Sequence, residues 1–482
     1  MPDEPSSYLP TSSQNTDGAA HPHQPKNIVI CCDGTGNEFG DANSNVIKLY
    51  TALQIDNQQV GYYHPGVGTM GDPSERHRIA RLWSKVKGLA FAYGFKDNVF
   101  DAYRYLMETY NDGDQVYLFG FSRGSYAVRA LAGLLDGYGL LCRGNEGHLP
   151  YAWRLYLDQH QDRKIHSIHG TKHYANKKTD YAAAFKRTFS HENFKIRFIG
   201  IWDTVSSVGW IYSPLRLFNV AQNSTVESGR HAISLDERRC FYLDNLWGNP
   251  LPGQDLMQVW FAGVHSDIGG SYPQEESGLS NITLRWMLNE ARCAGVRLIE
   301  DRVHLVLGEP SSTYEEVAPL YPKPKHTYVH RSLKDVWWIP EIVPHIYYDV
   351  DMGQEYRRVP FGARRTVPQG SLIHHSVIER MRDTAAHYHP TNLKQEFLLE
   401  AIAKAPCQGV DKVLYYEYLP PKPPKPNVLG RRLVVTLFSV LDILLLAALL
   451  LLFLSIVVLS LVLLWSVLSH LIHMLAVRIA YG

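Results

Sequence analysis

The chain has 482 residues, nominally about three domains at roughly 150 residues each, but its composition shifts too sharply along the sequence for an even division. With 48 Lys+Arg against 47 Asp+Glu, the formal charge of +1 argues against a nucleic-acid binder, which carries a basic excess or stripe. Hydrophobic residues at 45% and aromatics at 12% exclude a wholly disordered chain.

Residues 1–26 are rich in Pro, Ser, Asp and Gly and hold too little apolar surface to offset the entropy of ordering, so a disordered tail is expected there. From Asn27 to about Leu419, apolar runs of strand length alternate with helical patterns. That alternation predicts an α/β unit over 27–419, a mainly parallel sheet flanked by helices, with insertions near 140–195 and 300–370. The first strand, Asn27–Cys32, ends in Asp33-Gly34-Thr35-Gly36-Asn37. This run lacks the Walker lysine and the GxGxxG spacing of a phosphate cradle. Two readings of Asp33 stay open: a cation ligand, or a partner for the Arg123 guanidinium.

The sharpest local feature is Gly120-Phe121-Ser122-Arg123-Gly124, between the apolar run Gln115–Phe119 and a helical run from Ser125 to Leu135. A lone GxSxG is common by chance. A strand before it, a helix after it and small residues around the serine are what a nucleophile elbow requires. The tight turn exposes the hydroxyl, and the helix start aims N–H groups at negative charge forming nearby. The Arg123 N–H, with that of Gly34 or Thr35 from the first strand's loop, is the expected oxyanion hole.

A serine hydroxyl needs a base to take its proton and a carboxylate to orient the base. In a parallel sheet such groups gather at the carboxyl ends of strands. The run Lys195–Trp202 reads as a strand ending in Asp203, and Leu256–Val264 as one ending in His265. The order Ser122, Asp203, His265 is that of α/β hydrolases. Asp267 is a rival acid, whose alternative role is to tie down the Gly269-Gly270 turn or to cap a helix beginning near Ser280. His231 is a rival base that follows no evident strand.

Val336–Pro344 is an apolar, aromatic segment with two prolines, suited to a lid, an acyl-chain wall or core beneath a loop. The cysteines at 31, 32, 142, 240, 293 and 407 show no CxxC or metal spacing and no secretory segment precedes the body, so a reducing, cytosol-facing body is expected. The HPH, HH and HYH clusters lack acidic or thiol partners at ligand spacing, so neither metal nor cofactor is expected. Residues 420–430 form a stiff Pro/Lys spacer, and 431–482 an apolar segment read as a membrane anchor. Within it, Ile443–Ser469 is 27 residues without a charge, about 40 Å of helix against a hydrocarbon core of roughly 30 Å. No Gly or Pro lies between Arg431 and Tyr481 to build a reversal, which favours one tilted span over a hairpin. Lys422, Lys425, Arg431 and Arg432 on one side against Arg478 on the other place the body in the cytoplasm.

Together ICCDGTGN (30–37), YYHPGVGT (62–69), FGFSRGSYAVRALAGLL (119–135), IGIWDTVSSVG (199–209), HAISLDERR (231–239), WFAGVHSDIGGSYP (260–273) and HHSVIERM (374–381) carry a resemblance. The chain resembles, over roughly residues 27–390, an α/β-hydrolase family long labelled a domain of unknown function, which includes phospholipase effectors of bacterial type VI secretion. The resemblance implies a triad of the elbow serine, the WDT aspartate and the VHSD histidine, which are Ser122, Asp203 and His265, and phospholipid acyl esters as substrate. The C-terminal anchor departs from a secreted effector. The leading expectation is a membrane-anchored serine esterase or lipase; the alternatives are a non-lipid esterase and a non-catalytic membrane scaffold that keeps the hydrolase fold.

Overall fold

The computed structural model describes residues 24–34, 40–66, 88–158, 172–205, 209–210, 213–214, 223–242, 245–309, 328–342, 345–349, 354–398, 402–408, 410–420 and scattered positions from 451 to 472. Nearly all of the expected N-terminal tail, the loop residue Thr35, the spacer at 421–430 and most of the expected span lie outside them.

In chain order the strands are β1 (Asn27–Cys32), β2 (Gln59–His64), β3 (Gln115–Phe121), β4 (Ile196–Trp202), β5 (Gly209–Trp210), β6 (Ser213–Pro214), β7 (Val226–Ser234), β8 (Asp255–Phe261), β9 (His345–Asp349), β10 (Gln354–Arg358), β11 (Ser371–His374), β12 (Ile402–Lys404) and β13 (Val413–Tyr418). Nine of them form one sheet in the order β12-β13-β11-β8-β7-β4-β3-β1-β2. Every pairing from β2 across to β11 is parallel, and β13 and β12 close the far edge antiparallel. The mainly parallel α/β sheet expected from the alternation is therefore present.

The central strands read as unbroken apolar runs because both their faces are covered. In β1, Ile28, Ile30 and Cys32 enter one core and Val29 and Cys31 the other. In β3, Val116 and Leu118 alternate in the same way with Tyr117, Phe119 and Phe121. Helices α1 (Asn45–Ala52), α2 (Gly88–Thr109), α3 (Arg123–Tyr138), α4 (Lys172–Phe189), α5 (His265–Gly269), α6 (Gly278–Ala294), α7 (Glu300–Leu307), α8 (Trp338–Glu341) and α9 (His375–Arg382) surround the sheet. Residues of α2, α3 and α4 build the first core, and those of α1, α6 and α7 the second. Each buried aliphatic side chain contributes roughly 1.5–3 kcal/mol, which offsets about 1–2 kcal/mol of backbone ordering per residue.

Two expectations need correction here. His231 does lie in a strand, β7, which its polar sequence conceals. The strand's Arg230 is buried because it ion-pairs with Glu290 and Asp255, each at 2.6 Å. The scatter of cysteines gave no hint of a cross-link, yet Cys293 and Cys407 form a disulfide across 114 residues, whereas Cys31, Cys32, Cys142 and Cys240 are free. Among the described residues no helix is long and apolar enough to cross a membrane; most of the span expected over 443–469 lies outside those residues.

Candidate active site

Ser122 occupies the turn between β3 and α3 with φ 58° and ψ −121°. Such a left-handed φ costs a non-glycine residue about 1–3 kcal/mol and persists only where the surroundings impose it. Here Ser122 N donates to Trp202 O at 3.1 Å, and Ser125 Oγ donates to Gly120 O and Trp202 O at 2.7 and 2.9 Å. The flanking glycines are a packing necessity. A Cβ on Gly120 would stand 2.7 Å from the Gly124 backbone, and one on Gly124 would stand 2.1 Å from Cys32 O. The Ser122 side chain makes no capping bond to its own helix.

Strand register brings the acid beside the serine. Phe121 pairs with Trp202, so Ser122 and Asp203 each follow a paired residue on neighbouring strands. Asp203 also has a positive φ, 38°. His265 opens α5, its ring lying 4.7 Å from that of Phe121 and edge-on to Tyr242 at 4.6 Å. Its Nδ1–H donates to Asp203 Oδ2 at 2.6 Å. The imidazole thus sits against the residue preceding Ser122.

Both groups are buried, which shapes their protonation. Burial would raise the Asp203 carboxyl, but the Arg365 charge and the His265 bond outweigh it and hold the group well below the ordinary carboxylate range. Burial pushes the His265 imidazole down, with Asp203 opposing. A neutral imidazole beside an ionised carboxylate is the form a general base requires.

Two residues missing from the sequence reading complete this shell. Arg365 Nη1 donates to Asp203 Oδ1 at 2.5 Å and Nη2 to Oδ2 at 3.2 Å, while Ser234 N donates to Oδ1 at 2.9 Å. Glu237 Oε2 accepts the His265 backbone N–H at 3.1 Å and the Arg239 guanidinium at 2.9 Å. Burial would raise Glu237, yet Arg239 holds it at about 2. Arg365 had no motif to announce it. Glu237 lay within the HAISLDERR motif, but nothing in that run sets it apart from its charged neighbours.

The rival residues have other work. His231 Nε2 accepts from Thr204 N at 3.2 Å, and burial followed by the Arg129 charge lowers its pKa to about 3. Asp267 caps α5 itself, accepting Val264 N at 3.0 Å, rather than the later helix, which starts at Gly278. It also holds His330, whose Nδ1 donates to it at 2.5 Å while Nε2 donates to Glu276 at 3.0 Å.

For the oxyanion hole, Arg123 opens α3 as required. The Gly34 amide, however, donates to Asp33 Oδ1 at 2.6 Å and is engaged in this state; Thr35 lies outside the described residues. Asp33 also accepts from Ser44 Oγ and, at 2.9 Å, from Tyr63 OH. These donors tie the β1 loop to its neighbours.

The segment expected over Val336–Pro344 borders this site, its residues 343 and 344 lying outside those described. Trp337 meets Tyr242 edge-on at 5.8 Å, and Arg239 lies over the Tyr242 ring at 3.7 Å. Trp338, Ile339 and Ile342 are exposed, as is Phe361, whose N–H donates to Glu341 O at 2.9 Å.

Residues 26–290 match the family described as T6SS, phospholipase effector Tle1-like, catalytic domain. An uncharacterized protein of Saccharomyces cerevisiae is 28% identical over an alignment covering 59% of this chain and 60% of that protein, so the chain spans less than two thirds of the relative's length. The crystal structure of an uncharacterized protein from Pseudomonas aeruginosa is similar at a TM-score of 0.34 and 17% identity, covering 62% of this chain and 49% of that one. No residue role follows from that likeness.

Proposed function

The chain belongs to the Tle1-like catalytic-domain family of type VI secretion phospholipase effectors, and from that premise we propose that it is a serine hydrolase cleaving phospholipid acyl esters through Ser122, His265 and Asp203. The observation that carries the reading is the Asp203–His265 bond of 2.6 Å next to a serine held at φ 58°. Ser122 Oγ attacks the ester carbonyl carbon as its proton passes to His265 Nε2. The Arg123 N–H stabilises the oxyanion; the Gly34 amide joins it only if Asp33 releases that bond. Collapse expels the alcohol, which takes the proton from His265, and water activated by the same base then releases the fatty acid.

Acyl chains as substrate fit the exposed Trp338, Ile339, Ile342 and Phe361 beside the Trp337–Tyr242–His265 ring series. We also propose a single C-terminal membrane anchor. It is favoured by the uncharged Ile443–Ser469 run and by the exposure of Leu451, Val458, Leu459, Leu463, Trp465 and Ile472.

The test is fatty-acid release from defined phospholipid vesicles by the full chain and by Ser122→Ala. Release confined to the wild-type chain is expected, and equal release by both would end the reading. Cleavage of a soluble short ester with none from vesicles would move the substrate from lipid to small esters.

A further inference from the structure

The family-matched stretch ends at residue 290, yet one side chain from far beyond it enters the site. Arg365 precedes β11 and is 7% exposed. Besides both oxygens of Asp203, its guanidinium reaches Ser234 Oγ at 2.6 Å and Tyr242 O at 2.5 Å. Asn392 Nδ2 fixes its backbone by donating to Arg365 O at 2.9 Å. We propose that Arg365 is a positioning residue supplied by the C-terminal half, fixing the Asp203 carboxylate that orients His265 and limiting how readily the imidazole takes up a proton. This inference rests on the triad reading above.

Four donor bonds fix the Asp203 carboxylate. A carboxylate held by His265 alone turns about its Cβ–Cγ bond, and the imidazole turns with it. Bound at Oδ1 by Arg365 and Ser234 N, and at Oδ2 by Arg365 and His265, it has one orientation. The forked Arg–carboxylate pair is the arrangement that sets a plane as well as a distance.

Arg365 and Asp203 sum to zero, so an imidazolium forming at His265 gains less than it would beside a bare carboxylate. Other charged or titratable groups near that ring include Glu237, Arg239 and Tyr242, with Arg123 interacting with Tyr242. Glu237 and Arg239 pair with each other at 2.9 Å and oppose each other's influence. Burial is the main influence that lowers the imidazole and Asp203 the main one that opposes it; by neutralising the Asp203 charge, Arg365 weakens that opposition and helps keep His265 neutral at lower pH.

Arg365→Gln and Arg365→Lys in the full chain test this, with kcat and KM on a soluble short-chain phosphatidylcholine, the pH profile of kcat/KM, and labelling by a fluorophosphonate probe. Arg365→Gln is expected to lower kcat about a hundredfold with little change in KM and to move the acid limb up by roughly one pH unit. Arg365→Lys keeps the wild-type limb and recovers part of kcat. An unmoved limb in the Gln variant, or a Lys variant no better than Gln, overturns the inference. Should the Gln variant fail to fold, the Lys variant decides by its limb: at the wild-type position it supports the role, displaced upward it overturns it. A wild-type chain unlabelled at Ser122 overturns the hydrolase reading and this role together, whereas a labelled chain indifferent to residue 365 overturns the role alone.

Discussion

Asp203 is held by four donors, and each of them favours its ionised form. Replacing it with Asn keeps the size but favours the wrong imidazole tautomer, so Asp203→Asn is expected to lower kcat by about three to four orders of magnitude. Near-wild-type turnover in that variant would remove Asp203 from the proposed triad. Because burial pushes the His265 imidazole below its ordinary value, the base stays unprotonated as pH falls through 6.5, and activity is lost only at lower pH. A kcat/KM profile with its acid midpoint above about 6.5 would contradict that sign. Gly124→Ala drives a methyl into Cys32 O, and backbone yields less readily than a side chain. A loss of about 3 kcal/mol in a denaturant titration is expected. Strand ends and chain order singled out Ser122, Asp203 and His265, and the structure joins Asp203 to His265. Arg365 and Glu237 were not legible in the sequence, because their roles come from tertiary neighbours 162 and 28 residues away.

At the scale of elements, strands with two covered faces were easy to read and β7 was not. Its Glu227, Ser228, Arg230 and His231 break the apolar pattern, and the ion pairs of Arg230 that make the strand tolerable inside the sheet have no one-dimensional signature. The short helix α5 escaped for a different reason: five residues are too few to show a period. It is secured instead by Asp267, which caps it and grips His330 together with Glu276. Burial lowers the His330 imidazole, but the two carboxylates prevail and raise it. A raised folded value adds stability that is fully present below the unfolded pKa and lost as pH rises through the folded one. Accordingly His330→Gln is expected to melt lower than wild type at pH 6, with the gap narrowing by pH 9. A gap independent of pH would show that the imidazolium charge adds nothing.

At the scale of the whole molecule, the α/β body and the apolar C-terminal segment are separable by experiment. Ending the chain at Pro420 is expected to shift it from the membrane pellet to the supernatant while leaving fluorophosphonate labelling of Ser122 intact. Retention in the pellet would remove the anchor proposal and leave the catalytic one standing. The division of labour inside the body is less obvious from the sequence, since the stretch after residue 290 supplies Arg365 to Asp203 and His330 to the Asp267 cap of α5, while the proposed triad comes from before it. The Cys293–Cys407 bond encloses all of that later contribution in one covalent ring. A protease nick anywhere between 294 and 406 therefore yields fragments that migrate as one species on a non-reducing gel and part only when thiol is added, and the nicked protein keeps its arginine tethered within reach of the aspartate it serves.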